Sequence, residues 1–210
     1  MTPKQKEEFE RCKSDPVYFA ETHVKVSDSE YKPVALTLSA SQKENMKKFS
    51  LQKRNLFGSY DTETVHAISA FILHKLIFAS NFKITILSNS NTASLLEHDR
   101  LLQMISRLPS FLKPEVSTSN SVSITTLNNC SVLSLPLEKD IHKKFPKANF
   151  VYFPNLGNNK TIGASERAWN SLWRALRDDA KFCILSNSQN LVTDVVLNNQ
   201  QKYKLEIIPV

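Results

Sequence analysis

Residues 57–64, Phe57-Gly58-Ser59-Tyr60-Asp61-Thr62-Glu63-Thr64, join a short β-rich run at 53–57 to a long apolar run at 62–80. A strand-to-helix turn is where an α/β protein binds phosphate, because the helix N-terminus offers unpaired amide N–H groups and partial positive charge. Gripping a triphosphate there takes a second glycine for close backbone approach, a lysine for the β- and γ-phosphates, and a Ser or Thr for Mg²⁺. Here Gly58 is followed by Ser59 and Tyr60, Asp61 stands where backbone must meet phosphate, and Glu63 adds a second carboxylate. No Gly-Lys dipeptide occurs in the chain. Two acids beside a triphosphate repel it, whereas the same acids in the first turn of a helix are favoured by the macrodipole.

A second place for nucleotide chemistry follows the apolar run Asn149-Phe150-Val151-Tyr152-Phe153, which reads as a central strand. A nucleoside triphosphatase carries an Asp there for Mg²⁺ and an acid to activate water. This chain has Pro154-Asn155-Leu156, and its next carboxylate is Glu166. Lacking lysine, metal ligand and base, hydrolysis has none of the electrostatic elements it requires, so neither an enzyme nor a cofactor is expected. His23, His66, His74, His98 and His142 are scattered, with no Cys or carboxylate partner at ligand spacing, so no metal site is expected either. A Gly-x-Ser-x-Gly nucleophile elbow is absent.

Basic groups offer binding rather than catalysis. Lys43, Lys47 and Lys48 fall on one helix, followed by Lys53-Arg54, and Lys143, Lys144 and Lys147 crowd a loop. If these groups converge they are candidate DNA contacts through phosphate alone; if not, they are solvated faces. Arg167, Arg174 and Arg177 recur on a helix with Trp169 and Trp173, whose i, i+4 spacing reads as core packing.

The elements that must position these residues fit one large domain with a small appendage. The 210 residues are 41% apolar and 22% charged, enough to fold around a core. Net charge is +7, with excess at the ends: residues 1–54 hold 11 basic against 8 acidic groups, 55–138 hold 5 against 6, and 139–210 hold 11 against 6. Cys12, Cys130 and Cys183 form no CxxC pair, and an odd count argues for a reducing compartment rather than a disulfide framework. The polar start lacks the apolar region of a secretory signal, and the apolar run at 67–79 is too short to span a bilayer, so a soluble, cytosolic protein without membrane contact is expected.

Along the chain, 1–13 reads as a charged helix, and Asp15-Pro16 opens a second one. Ser39 to Gln42 has capping-box spacing, predicting a helix to about Phe49. Strands at 53–57 and 83–87 flank the helix at 62–80, whose Val65, Ile68, Phe71, Ile72 and Leu76 face inward. A second amphipathic helix at 92–108 turns Leu95, Leu96, Leu101, Leu102, Ile105 and Leu108 inward. Strands at 122–127 and 132–137 form a hairpin through Asn128-Asn129-Cys130, since asparagine tolerates left-handed backbone. Strands at 182–185 and 205–210 alternate with helices at 165–176 and 191–197. The expected fold is α/β, a mostly parallel sheet flanked by helices, with a helical extension at 1–32 and the main domain at 33–210.

From Cys12 onward the chain resembles the N-terminal ATPase domain of the tailed-bacteriophage terminase large subunit, the DNA-packaging motor. Asp15-Pro16-Val17-Tyr18-Phe19-Ala20-Glu21-Thr22-His23-Val24-Lys25-Val26 is similar to the family's opening "DPxYFxxxYVKI" helix. Residues 38–46, with Gln42, resemble its adenine-reading "LxxxQ" segment; 101–114 resemble its helix and turn after the second strand; and 123–132 resemble its "NGS" hairpin. The resemblance implies a P-loop-NTPase-like, ASCE-type sheet. The departures fall on the motor motifs: Gly58 to Glu63 stand in place of Arg-Gln-x-Gly-Lys-Thr/Ser, a degenerate Walker A, and Pro154-Asn155 replace the acidic pair of Walker B. At the coupling segment, Ser186-Asn187-Ser188-Gln189 keep polar character without the family's threonine-rich pattern. Gln42 alone survives as a cofactor-binding remnant, and its capping role explains it as well. The nuclease domain is expected to be missing. What the resemblance implies is a catalytically inactive phage protein, docking on a terminase, portal or capsid component or on itself, in the infected host cytoplasm or the virion. A DNA-binding accessory module is the alternative, and nucleotide binding without hydrolysis a third reading.

Overall fold

The computed structural model describes residues 1–51, 55–59, 61–136, 148–155, 181–186 and 205–207. Two helices open the chain, α1 (Pro3–Ser14) and α2 (Pro16–His23). Asp15 ends the first and caps the second, its Oδ1 accepting the N–H groups of Val17 and Tyr18 at 3.0 Å, with Pro16 at the first helical position where no donor is needed. The polar stretch after α2 is a small antiparallel hairpin, β1 (Lys25–Ser27) and β2 (Pro33–Ala35). The capping box then starts α3 (Ala40–Leu51): Ser39 Oγ accepts the Gln42 N–H at 3.2 Å, and Gln42 Oε1 accepts the Ser39 N–H at 2.9 Å.

The main body alternates β3 (Asn55–Ser59), α4 (Thr62–Phe78), β4 (Lys83–Ser88) and α5 (Asn91–Arg107). Three short strands follow, β5 (Val116–Ser119), β6 (Ser123–Thr126) and β7 (Ser131–Pro136). Last come β8 (Phe150–Phe153), β9 (Lys181–Ser186) and β10 (Leu205–Ile207). One eight-stranded sheet runs in the order β10-β3-β9-β8-β4-β7-β6-β5. Neighbours from β10 to β7 are parallel, and β6 and β5 continue the sheet antiparallel. This is the mostly parallel α/β sheet expected, and it inserts β9 between the strand before the Gly58 turn and the strand before Pro154.

Helix α4 packs beneath α2 and α3 as well as beside α5. It therefore buries more than the expected inward face: Ala67, Ala70, Leu73 and His74 join Val65, Ile68, Phe71, Ile72 and Leu76. Phe49 of α3, Phe71 of α4 and Phe150 of β8 form an aromatic triangle with ring centroids 5.2–5.6 Å apart, joining three elements. The N-terminal helices share this core through Cys12, Val17 and Phe19. His74 lies among Phe19 and Phe78, and its Nε2 is 3.0 Å from the Cys12 carbonyl. Burial lowers its pKa to about 4.

On α5 the stripe against the sheet is Ser94, Glu97, His98, Leu101 and Met104. Leu96, expected inward, is 60% exposed, because the i, i+3, i+4 series through Leu101 leaves it on the outer side. Burial raises the Glu97 pKa, an effect opposed by the Arg100 guanidinium paired with it. The β6–β7 hairpin turns at Asn129, with φ 59°, as asparagine allows.

Candidate functional site

In a parallel sheet of this order, ligands bind at the carboxyl ends of the strands where the chain reverses direction across the sheet. Ser59 at the end of β3 is level with Ser186 on β9, and Phe153 at the end of β8 is level with Ile184. The end of β3, Pro154-Asn155 and Ser186 thus lie along one edge. These are three of the sequence stretches singled out for nucleotide chemistry.

At this edge the strand before the turn is longer than expected. Gly58 pairs with Leu185 and Ser59 with Ser186, so β3 runs to Ser59 instead of ending at Phe57. Only positions 60 and 61 separate it from α4. Pairing with β9 draws Gly58 and Ser59 into the ladder, so their backbone belongs to a strand and not to a phosphate-wrapping loop. Asp61 is the N-cap of α4: its backbone is extended (φ −143°, ψ 159°) and its Oδ1 accepts the Thr64 N–H at 2.7 Å. One of the N–H groups at this helix terminus, that of Thr64, is thus already taken by a carboxylate of the chain. Thr62 and Glu63, both exposed, begin the first turn behind it. Across the edge, Pro154 is buried, and Asn155 Oδ1 is buried with no hydrogen-bond partner among the described residues.

The remaining site residues fall elsewhere. Gln42 lies on α3 with its amide oxygen held by the Ser39 N–H. Lys43 Nζ pairs with Glu21 Oε1 at 2.9 Å, and the same Glu21 oxygen accepts the Leu38 N–H at 3.2 Å, tying α2 to the approach of α3. Lys48 pairs with Glu44 at 2.9 Å, while Lys47 is exposed. The helix that carries three lysines is therefore partly neutralised by its own neighbours. Lys143, Lys144 and Lys147, the Trp169–Trp173 helix, and Tyr60 lie outside the described residues.

Two arrangements escaped the sequence reading. Asn128, placed in a turn for its backbone, sends its Nδ2 to the carbonyls of Leu76, Ile77 and Ala79 at 3.2, 3.4 and 2.7 Å, capping the C-terminus of α4. Glu8, Cys12 and His23, which looked unrelated, meet between α1 and α2. His23 Nε2 lies 2.7 Å from Glu8 Oε1, the Tyr18 hydroxyl donates to the same oxygen at 2.9 Å, and Cys12 Sγ is 3.8 Å from it. The histidine hydrogen bond lowers the Glu8 pKa, and burial pushes the Cys12 thiol up to about 12. The i, i+4 spacing of Glu8 and Cys12 was the only sequence signal.

Among solved structures, the chain is similar to the large terminase of bacteriophage HK97, with a TM-score of 0.67 and 12% identity over 90% of this chain and 41% of that one. The large terminase of a thermophilic bacteriophage matches at 0.58 and 13% over 81% and 45%. The ATPase domain of the Thermus phage P74-26 large terminase matches at 0.52 and 13% over 76% and 66%. The fold is that of a phage large-terminase ATPase domain. No family model matches the chain, which spans less than half the length of the first two terminases. The sheet brings the end of β3 and Pro154-Asn155 to one edge with β9 between them, and no helix among the described residues is long and apolar enough to cross a membrane.

Proposed function

We propose that this chain is a non-catalytic terminase-like phage protein that serves DNA packaging or virion assembly by docking on another protein. Its partner in this reading is a terminase, portal or capsid component, or a second copy. The observation that carries the reading is the carboxylate that caps the helix terminus. In a terminase-like fold the N-terminus of α4 is capped by Asp61 at 2.7 Å after a connection of positions 60 and 61, where nucleotide chemistry would need a glycine-lined loop and a lysine. Pro154 and Asn155 supply neither a metal ligand of acidic type nor a base.

The DNA-binding alternative draws on the net charge of +7. It is weaker, because Lys43 and Lys48 are held in ion pairs with Glu21 and Glu44. Residual nucleotide binding through Gln42 is weaker again, since the amide oxygen that would read a base caps α3.

Calorimetric titration with Mg·ATP tests the reading. No saturable heat is expected below about 1 mM ATP, a concentration that corresponds to only about 4 kcal/mol of binding free energy. Saturation in the micromolar range, or steady release of phosphate, would overturn it. Docking is tested by co-expression with packaging and capsid proteins: co-purification that survives high salt supports a protein partner, whereas release at moderate salt points to charge alone.

A further inference from the structure

The hairpin of α1 and α2 gathers three donor atoms of different chemistry. Glu8 and Cys12 are one helical turn apart and share a face of α1, while His23 ends α2 and folds back onto that face. The carboxylate oxygen, thiol sulfur and imidazole nitrogen all lie within 4.8 Å of one another. Around a four-coordinate zinc ion, with bonds of about 2.0–2.3 Å, neighbouring donors stand roughly 3.5 Å apart. Cys12 Sγ and Glu8 Oε1, at 3.8 Å, already match. His23 Nε2 and Glu8 Oε1, at 2.7 Å, need to part by about 1 Å to admit the ion between them. Cys12 is buried, whereas the side chains of Glu8 and His23 are 28% and 13% exposed, which leaves an entry path and room for water on the outer side.

We propose that Glu8, Cys12 and His23 bind one Zn²⁺ ion, with water in the fourth position. A sulfur and a nitrogen donor are poorly suited to Mg²⁺ or Ca²⁺, which take oxygen, and together with a carboxylate they suit zinc. The Cys12 thiol proton leaves to solvent on binding, and thiolate and carboxylate then balance the two charges of the ion. The Tyr18 hydroxyl, 2.9 Å from Glu8 Oε1, holds the carboxylate in place, and Arg11 stacks 3.7 Å above the Tyr18 ring. Bound there, the ion fastens α1 to α2.

Cobalt(II) titrated into the metal-stripped full chain tests the proposal. A thiolate-to-cobalt charge-transfer band in the near ultraviolet is expected, saturating at one ion per chain and displaced by Zn²⁺. Cys12→Ser should abolish the band, Glu8→Gln and His23→Gln should each weaken binding tenfold or more, and Cys130→Ser should leave it unchanged. If Cys12→Ser fails to fold by circular dichroism, the Glu8 and His23 variants decide. Absence of the band at equimolar cobalt, its persistence in Cys12→Ser, or unaltered affinity in Glu8→Gln and His23→Gln would overturn the site.

Discussion

At the scale of single residues, Asp61 combines two effects that substitution separates. Its carboxylate is a hydrogen-bond acceptor for the Thr64 N–H and a negative charge at the positive end of α4. Asp61→Ala removes both and is expected to cost about 1 kcal/mol, an amount that lowers the melting temperature of a domain this size by about 2–4 °C. Asp61→Asn keeps an acceptor oxygen and loses only the charge, so it should stay within about 0.5 kcal/mol of the parent. Thermal unfolding of the two variants checks this. Equal losses would mean that charge, not the cap, is what Asp61 contributes. Glu63 carries the same charge in the first turn without making a cap, and it marks the baseline for a pure dipole effect.

At the scale of elements, the β6–β7 turn acts as a latch on the far end of the same helix. Asn128 Nδ2 faces three carbonyls at the end of α4, its backbone carbonyl accepts the Asn81 N–H at 3.1 Å, and Asn129 Nδ2 donates to Asn81 Oδ1 at 2.7 Å. Asn128→Ala leaves those carbonyls without their donor and is expected to cost about 1–2 kcal/mol. Asn128→Asp should cost more, because it sets a negative charge against the negative end of the helix. Denaturant unfolding that ranks the aspartate variant above the alanine variant would contradict this. Periodicity and capping made α3, α4 and β8 legible in the sequence, and an Asn-rich turn made the hairpin legible. What stayed hidden depends on partners. The end of β3 is set by β9, more than a hundred residues away. The strands β2 and β5 are wholly exposed and show no buried alternation. The meeting of Glu8 with His23 follows from how α1 docks on α2. In the candidate site the missing lysine and acids were legible from the order of residues after the two strands, whereas the length of β3, and with it the short connection to α4, was not.

At the scale of the whole molecule, the distribution of charge decides how the chain meets polyanions. A net charge of +7 favours DNA at low ionic strength through released counterions, with or without a built groove. The slope of log affinity against log salt counts the phosphates engaged, at about 0.9 per contact on duplex DNA. Lys43 and Lys48 already hold Glu21 and Glu44, so recruiting either to phosphate means breaking an ion pair, while exposed Lys47 has no such obligation among the described contacts. Lys47→Gln is therefore expected to lower the slope by about one contact, and Lys43→Gln to leave it unchanged while loosening α2 from α3. Mobility shifts of the parent and both variants from about 50 mM to about 200 mM salt make the measurement. For a docking protein, binding should fade across that range in all three. Affinity that persists at the upper end and falls equally with Lys43→Gln and Lys47→Gln would mean that α3 lies along the duplex, making the DNA-binding alternative the better account of the chain.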